Sequence, residues 1–219
     1  MKVVLLLFLF AFAYSIIIQG IDVSSYQGTI NWKKVAESKK FAILRIGTGY
    51  NGKNKKDSKF EENYKNAKAA GVKVGAYWYS YATSVDDAKR EANYCLQHLS
   101  GKQFEWPIYY DIEEEFQFYN GINNSIAKTF CEILEANHYY CGIYSSDSKW
   151  TFNFSKGISS RYSIWVAHLG TSRFTYTGTY DIWQKSETGS VSGISGNVAL
   201  DECYLNFEPV MKANHLNGY

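Results

Sequence analysis

Eight short apolar runs recur along this chain, and what lies between them limits the fold more than any other feature. The first five, at 18–24, 41–47, 72–81, 107–113 and 140–145, are rich in β-branched and aromatic residues and read as strands. Helical patterns separate them. The segment 30–38 is short, and 58–70 ends at Gly71, a natural C-cap. The segment 84–99 opens with Ser84 as N-cap and closes before Gly101, and 123–137 follows the fourth strand. Strand alternating with helix implies parallel strands joined by right-handed crossovers. The last three runs, at 164–168, 180–184 and 197–200, are separated by Gly, Ser and Thr instead of helix formers. The expectation is an α/β fold, a TIM-like barrel related to the (β/α)8 type whose last helices are lost.

In such a barrel the active site lies at the carboxyl ends of the strands. The fourth run, Trp106-Pro107-Ile108-Tyr109-Tyr110-Asp111-Ile112-Glu113, ends there with two acids two residues apart. Side chains alternate across a strand, so Asp111 and Glu113 look into one space. Close carboxylates push their pKa values apart, leaving a protonated donor beside an ionised partner. That is the equipment for cleaving a glycosidic bond. The plainer alternative is a solvated strand end that Glu114 and Glu115 extend. Asp22 ends the first strand, Tyr77 and Tyr79 share a face of the third, and Trp183-Gln184 ends the seventh.

Aromatic residues make up 17% of the chain, with 19 Tyr and 6 Trp, more than a core needs; exposed rings of this kind line grooves that stack on sugars. The formal charge, 23 − 21 = +2, gives no steering toward nucleic acid or anionic membrane. Met1-Lys2 followed by the apolar run from Val3 to Ala13, with small residues at Ala13 and Ser15, reads as a signal peptide over 1–15. The expectation is one domain over 16–219, secreted or delivered to a vesicle or lysosome lumen, with no membrane contact after cleavage and acting as a monomer. In an exported chain Cys95, Cys131, Cys141 and Cys203 suggest two disulfides; three pairings are possible, with Cys131–Cys141 the favourite. Asn123-Asn124-Ser125 and Asn153-Phe154-Ser155 are glycosylation sequons.

The ordered set of strand-end motifs strongly resembles glycoside hydrolase family 25, the Ch-type lysozymes, which are muramidases acting on bacterial peptidoglycan. The matching elements are D-x-S-x-x-Q-G (Asp22 to Gly28), G-A-Y-x-Y (Gly75 to Tyr79), Y-D-I-E (Tyr110 to Glu113), G-I-Y-S (Gly142 to Ser145), W-Q (Trp183-Gln184) and G-x-V-x-G-I-x-G-x-V (Gly189 to Val198). The resemblance implies a flattened (β/α)5(β)3 barrel and hydrolysis of the β-1,4 bond after N-acetylmuramic acid, with no cofactor or metal. On matching positions it implies Glu113 as general acid, Asp111 as the group that orients substrate or stabilises charge, and Asp22 as the third acid. Tyr77, Tyr79, Tyr144 and Trp183 are implied as sugar-holding walls, and Gln27 and Gln184 as hydrogen-bonding or structural amides. Family members retain the anomeric configuration, which admits assistance by the substrate's N-acetyl group.

One departure stands out. The family pattern V-D-x-N/D reads Val198-Ala199-Leu200-Asp201 here, so alanine replaces an aspartate. With Asp22, Asp111 and Glu113 intact, neither restoring the aspartate at 199 nor neutralising Asp201 is expected to matter greatly. Two other readings stay open. A chitinase-like D-x-x-D-x-D-x-E motif would need aspartates where Trp106 and Tyr109 stand. A peptidoglycan-binding protein without activity is the alternative that Ala199 motivates. His98, His138 and His168 show no ligand spacing, Ser24, Ser25, Ser145 and Ser146 show no nucleophile elbow, and the basic run Lys53-Asn54-Lys55-Lys56 reads as a solvated loop able to meet anionic wall polymers.

Overall fold

The computed structural model describes residues 17–170 and 173–219; the leader read at 1–15 lies outside the described residues. In chain order the strands are β1 (Ile18–Val23), β2 (Phe41–Thr48), β3 (Lys55–Lys56), β4 (Lys73–Tyr79), β5 (Ile108–Asp111), β6 (Cys141–Ser146), β7 (Ser163–Ala167), β8 (Ile182–Gly189) and β9 (Val198–Cys203). The helices are α1 (Trp32–Val35), α2 (Phe60–Ala69), α3 (Val85–Leu99), α4 (Phe116–Tyr119), α5 (Ile122–Ala136), α6 (Asp147–Phe152), α7 (Lys156–Ser159) and α8 (Glu208–Ala213).

β1, β2, β4, β5, β6, β7 and β8 pair in parallel, and β9 runs antiparallel between β8 and β1. Contact of β1 with both β2 and β9 closes an eight-stranded barrel, while β3 hangs on β2 as an antiparallel hairpin strand. The connection between β8 and β9 is too short for a crossover, which forces the reversal. The architecture is therefore the expected (β/α)5(β)3 barrel. The sequence patterns missed β3, α4, α6, α7 and α8, one- or two-turn elements that hold their shape through tertiary contacts and not through periodicity.

Two apolar layers follow from the strand alternation, because parallel strands are buried on both faces. Ala42, Leu44, Ala76, Trp78, Ile108 and Tyr110 point outward and pack with Ala92, Phe130 and Leu134 of the helices. Phe41, Ile43, Tyr77, Tyr109, Tyr144 and Trp165 point into the barrel. Aromatic rings of this size fit only where the neighbouring strand lacks a side chain at the paired position: a Cβ at Gly142 would collide with the Tyr109 ring, and one at Gly20 with the Phe41 ring. The inward set continues upward from Tyr109 to Asp111, so the same alternation that fills the core aims the acids.

The chain's end plugs the opposite mouth. Phe207 and Met211 are buried against Phe41 and Trp106, and Asn217 is fully buried. Asn217 accepts from Tyr140 N at 2.7 Å and donates to Trp106 O at 2.9 Å; its backbone bonds His138 O and Phe104 N. These contacts tie off the starts of β5 and β6.

Two expectations are corrected. Cys131 and Cys141 adjoin, with their sulfurs 2.6 Å apart. Cys95 lies in the helix–sheet layer and Cys203 in the barrel interior, so the wall of the barrel stands between them; all four cysteines are unbridged in the structure. The sequon asparagine Asn123 is buried, with its amide donating to Asn153 O at 3.1 Å, and is closed to glycosylation in the folded chain. Among the described residues no helix is long and apolar enough to cross a membrane.

Candidate active site

The carboxyl ends of the strands surround a cleft of about 220 Å³. Asp22 near the end of β1, Asp111 at the end of β5 and Glu113 two residues beyond all line it, as the strand reading required. Register explains the convergence. Asp111 lies level with Tyr79 on one side and Tyr144 on the other, and Asp22 lies level with Ala199. Tyr77, Tyr79, Tyr144, Gln27 and Gln184 join them in the lining.

Hydrogen bonds fix most of these groups. The Tyr144 hydroxyl donates to Gln184 Oε1 at 2.9 Å, and Gln184 Nε2 donates to Asp22 Oδ2 at 2.7 Å. Gln184 thus orients an acid from two strands away, past β9. Gln27 is spent on structure: its Oε1 accepts from Ser24 N at 2.9 Å and its Nε2 donates to Asn197 O at 3.3 Å, clamping the turn after β1. The Tyr79 hydroxyl donates to Glu114 Oε1 at 2.9 Å and sits beside Glu113. Glu114 is thereby part of the rim and not merely solvated.

Trp183 is a correction. Its neighbours Ile182 and Gln184 face the barrel interior, so the alternation turns Trp183 outward. There its Nε1 donates to His168 O at 2.9 Å and its ring meets Phe174 edge-on. Trp165 of β7 takes the inward place instead, 4.5 Å from the Tyr144 ring and edge-on to Tyr77. Arg45 and Glu187 also line the cleft. Arg45 was visible in principle as the lone charge in the second apolar run; Glu187 lies on a part of β8 beyond the strand read at 180–184, where no local signal marked it.

The electrostatics are those of acids held away from water. Burial is the main cause in each case. It pushes Asp22 up to about 7, with Glu187 and Glu113 adding repulsion. It holds Asp111 well above the usual carboxylate range, reinforced by Glu113 and Asp22, and it raises Glu113, with Glu187 and Glu114 contributing and the Tyr79 hydroxyl opposing. Asp111 Oδ1 is buried and has no hydrogen-bond partner among the described residues. Such an oxygen is expensive to leave unmade in a folded protein and marks a place where a ligand completes the bonding.

Ala199 lines the cleft opposite Asp22, so the position where the family pattern has aspartate is at the site but carries only a methyl group. Asp201 faces the same way one layer deeper. It is fully buried, accepts from Trp165 Nε1 at 2.9 Å and is held well above its ordinary range by burial and by Asp22.

Residues 21–194 match the model of glycosyl hydrolases family 25. The chain belongs to this family. It is 31% identical over 197 residues to lysozyme M1 of Streptomyces globisporus, covering 83% of this chain and 66% of that protein. It is 29% identical over 185 residues to the autolytic lysozyme of Clostridium acetobutylicum, covering 84% and 55%. This family-25 chain thus spans between about half and two thirds of the length of these relatives. Among solved structures, the bacterial lysozyme of Streptomyces coelicolor superposes with a TM-score of 0.77 at 30% identity, covering 90% of this chain and 97% of that one.

Proposed function

We propose that this family-25 glycosidase is a lysozyme that hydrolyses the β-1,4 bond between N-acetylmuramic acid and N-acetylglucosamine in bacterial peptidoglycan. The observation that carries the reading is one cleft holding Asp22, Asp111 and Glu113, each with raised proton affinity, walled by Tyr77, Tyr79, Tyr144 and Trp165. Glu113, kept protonated by burial and like charge, gives its proton to the glycosidic oxygen as the bond to C1 breaks. The N-acetyl oxygen of the same sugar attacks C1, and Asp111 accepts the amide N–H and steadies the resulting ring. Glu113, now ionised, takes a proton from water, whose oxygen reopens that ring with retention at C1. Asp22, oriented by Gln184, completes the acidic floor and Tyr79 steadies Glu113.

In this reading 1–15 is a leader, 16–219 is a single catalytic domain, and the enzyme works as a monomer outside the cell or in a vesicle lumen. Cys131 and Cys141 join there as one disulfide, while Cys95 and Cys203 stay reduced. Mass spectrometry of the exported protein should find one bridge and two thiols; a Cys95–Cys203 bridge would contradict the fold described above.

The deciding experiment measures reducing-sugar release from purified peptidoglycan and from chitin. Release from peptidoglycan alone is the expected result. Release from chitin alone points to a chitinase, and binding of peptidoglycan without release points to an inactive binding protein.

A further inference from the structure

β5 ends at Asp111, so Glu113 stands two residues beyond its strand. A general acid must be held within a fraction of an ångström of the bond it protonates, and a loop by itself does not give that precision. The backbone on either side shows what does. Asp111 O accepts from Ser80 N at 2.9 Å and Ile112 N donates to Tyr144 O at 3.1 Å, which carries the sheet bonding one residue past the strand. Two side chains then take over. Ser145 Oγ donates to Ile112 O at 2.7 Å. Gln117 grips Glu114 twice: its Oε1 accepts from Glu114 N at 3.1 Å, and its backbone N donates to Glu114 O at 3.0 Å. Ile112 O and Glu114 N belong to the two peptide groups that flank the Glu113 Cα.

Gln117 and Ser145 are fully buried and neither lines the cleft. Gln117 is itself anchored. Its Nε2 donates to Ser80 Oγ at 3.0 Å and to Ala82 O at 3.3 Å. Ser80 Oγ donates to the Tyr110 hydroxyl at 2.8 Å, and that hydroxyl donates to Glu91 Oε2 at 2.6 Å. From Glu114 N to Glu91 every donor therefore points the same way, and the chain ends on a carboxylate, an arrangement in which each bond polarises the next. The other Glu91 oxygen accepts from Tyr81 N at 3.0 Å, and a Cβ at Gly49 would strike this carboxylate, so its place is set by packing as well. Glu91 and Tyr110 would suffice to hold α3 on the sheet. The extension through Ser80 and Gln117 leads instead to the loop that carries Glu113.

We propose that Gln117 and Ser145 are positioning residues for Glu113: by fixing the two peptide groups that flank it, they hold its carboxyl against the glycosidic oxygen. The inference rests on Glu113 as proton donor in the lysozyme reading and adds the means of its placement. Glu113 faces the Tyr79 and Tyr144 hydroxyls and the carboxyls of Asp22, Asp111, Glu114 and Glu187. A Glu113 released from its two anchors swings out of this company toward water, keeping its chemistry and losing its aim. It also loses the burial that raises its pKa.

The test measures kcat, KM and the pH profile of kcat for the full chain on soluble peptidoglycan strands. Gln117→Ala and Ser145→Ala should each lower kcat by about 10- to 100-fold and leave KM within about twofold, the cost of a small misplacement and less than the full worth of a general acid. The alkaline limb of the profile, where the general acid loses its proton, should move to lower pH, which a loss of stability does not cause. Added to Glu113→Gln, either change should lower kcat by less than about threefold more, because a residue that acts through Glu113 then has nothing left to place. Should Gln117→Ala fail to fold, Ser145→Ala reads the same quantities. A kcat within about threefold of wild type in the folded variants, an unmoved alkaline limb, or an equal fall in both backgrounds overturns the proposal. A wild-type enzyme silent on peptidoglycan defeats the lysozyme reading and this inference with it; an active wild type with insensitive variants defeats this inference alone.

Discussion

At the N-terminal mouth of the barrel Glu105 is buried with both oxygens engaged. Oε1 accepts from Lys68 Nζ and from the Tyr219 hydroxyl, and Oε2 accepts from Val74 N at 3.0 Å. Burial pushes its pKa up, but these hydrogen bonds and the lysine outweigh it and bring the carboxyl below its ordinary range. At the carboxyl mouth Asp111 is buried as deeply, yet one oxygen has no partner among the described residues and its pKa lies well above the ordinary range. Residue type does not separate the two ends; partners do. One end spends Glu105 and Asn217 on holding the barrel shut, and the other leaves Asp111 incomplete so that a substrate can complete it.

The comparison breaks most sharply at Glu113. Glu113→Gln should lower turnover on peptidoglycan by about 10²–10⁴-fold, the usual worth of a general acid, while Tm and peptidoglycan binding persist. Activity within a few-fold of wild type would remove Glu113 from the acid role. The reciprocal change at the other end is Asn217→Ala. It leaves Tyr140 N and Trp106 O without partners, and the expected loss of stability is about 2–4 kcal/mol. Denaturant melts should register it, while kcat of the folded fraction stays within twofold. A tenfold fall in kcat would mean that the two mouths are not independent.

pH separates the ends by sign. The folded pKa of Asp22, about 7, lies above its ordinary 3.8, so between those values the folded chain holds a proton that the unfolded chain has released. Its contribution is therefore lost as pH rises through that window, and Asp22→Asn should raise Tm at pH 7.5 and change it little at pH 4. Glu105 is depressed from 4.5, so its contribution is present above that value and is lost as pH falls. Glu105→Gln should accordingly lower Tm at pH 7 and matter less at pH 3. Thermal melts of both variants across pH would check the pair, and slopes of the same sign would refute the contrast.

The smallest effects belong to β9. Asp201→Asn keeps an acceptor for Trp165 Nε1, and Ala199→Asp adds a like charge beside Asp22. Each should change activity less than tenfold, because Asp22, Asp111 and Glu113 remain. A tenfold or greater loss in Asp201→Asn with unchanged folding would show that the deeper carboxylate shares the work of Asp22.

Much of this was legible in one dimension. The period of two along 107–113 determined that Asp111 and Glu113 share a side, and alternation of strands with helices determined a barrel and the mouth at which those acids stand. The same period held a warning that was missed: adjacent Trp183 and Gln184 cannot both face inward, and the amide won. Other features had no local signal. Closure of β1 on β9 chose the partners of Asp22 and set Ala199 opposite it. The fold, and not the count of cysteines, set Cys131 beside Cys141 and the barrel wall between Cys95 and Cys203. The final segment became a plug because Asn217 bonds Tyr140 and Trp106, 77 and 111 residues before it. Local periodicity specifies which face a side chain takes; only long-range pairing specifies what stands across from it.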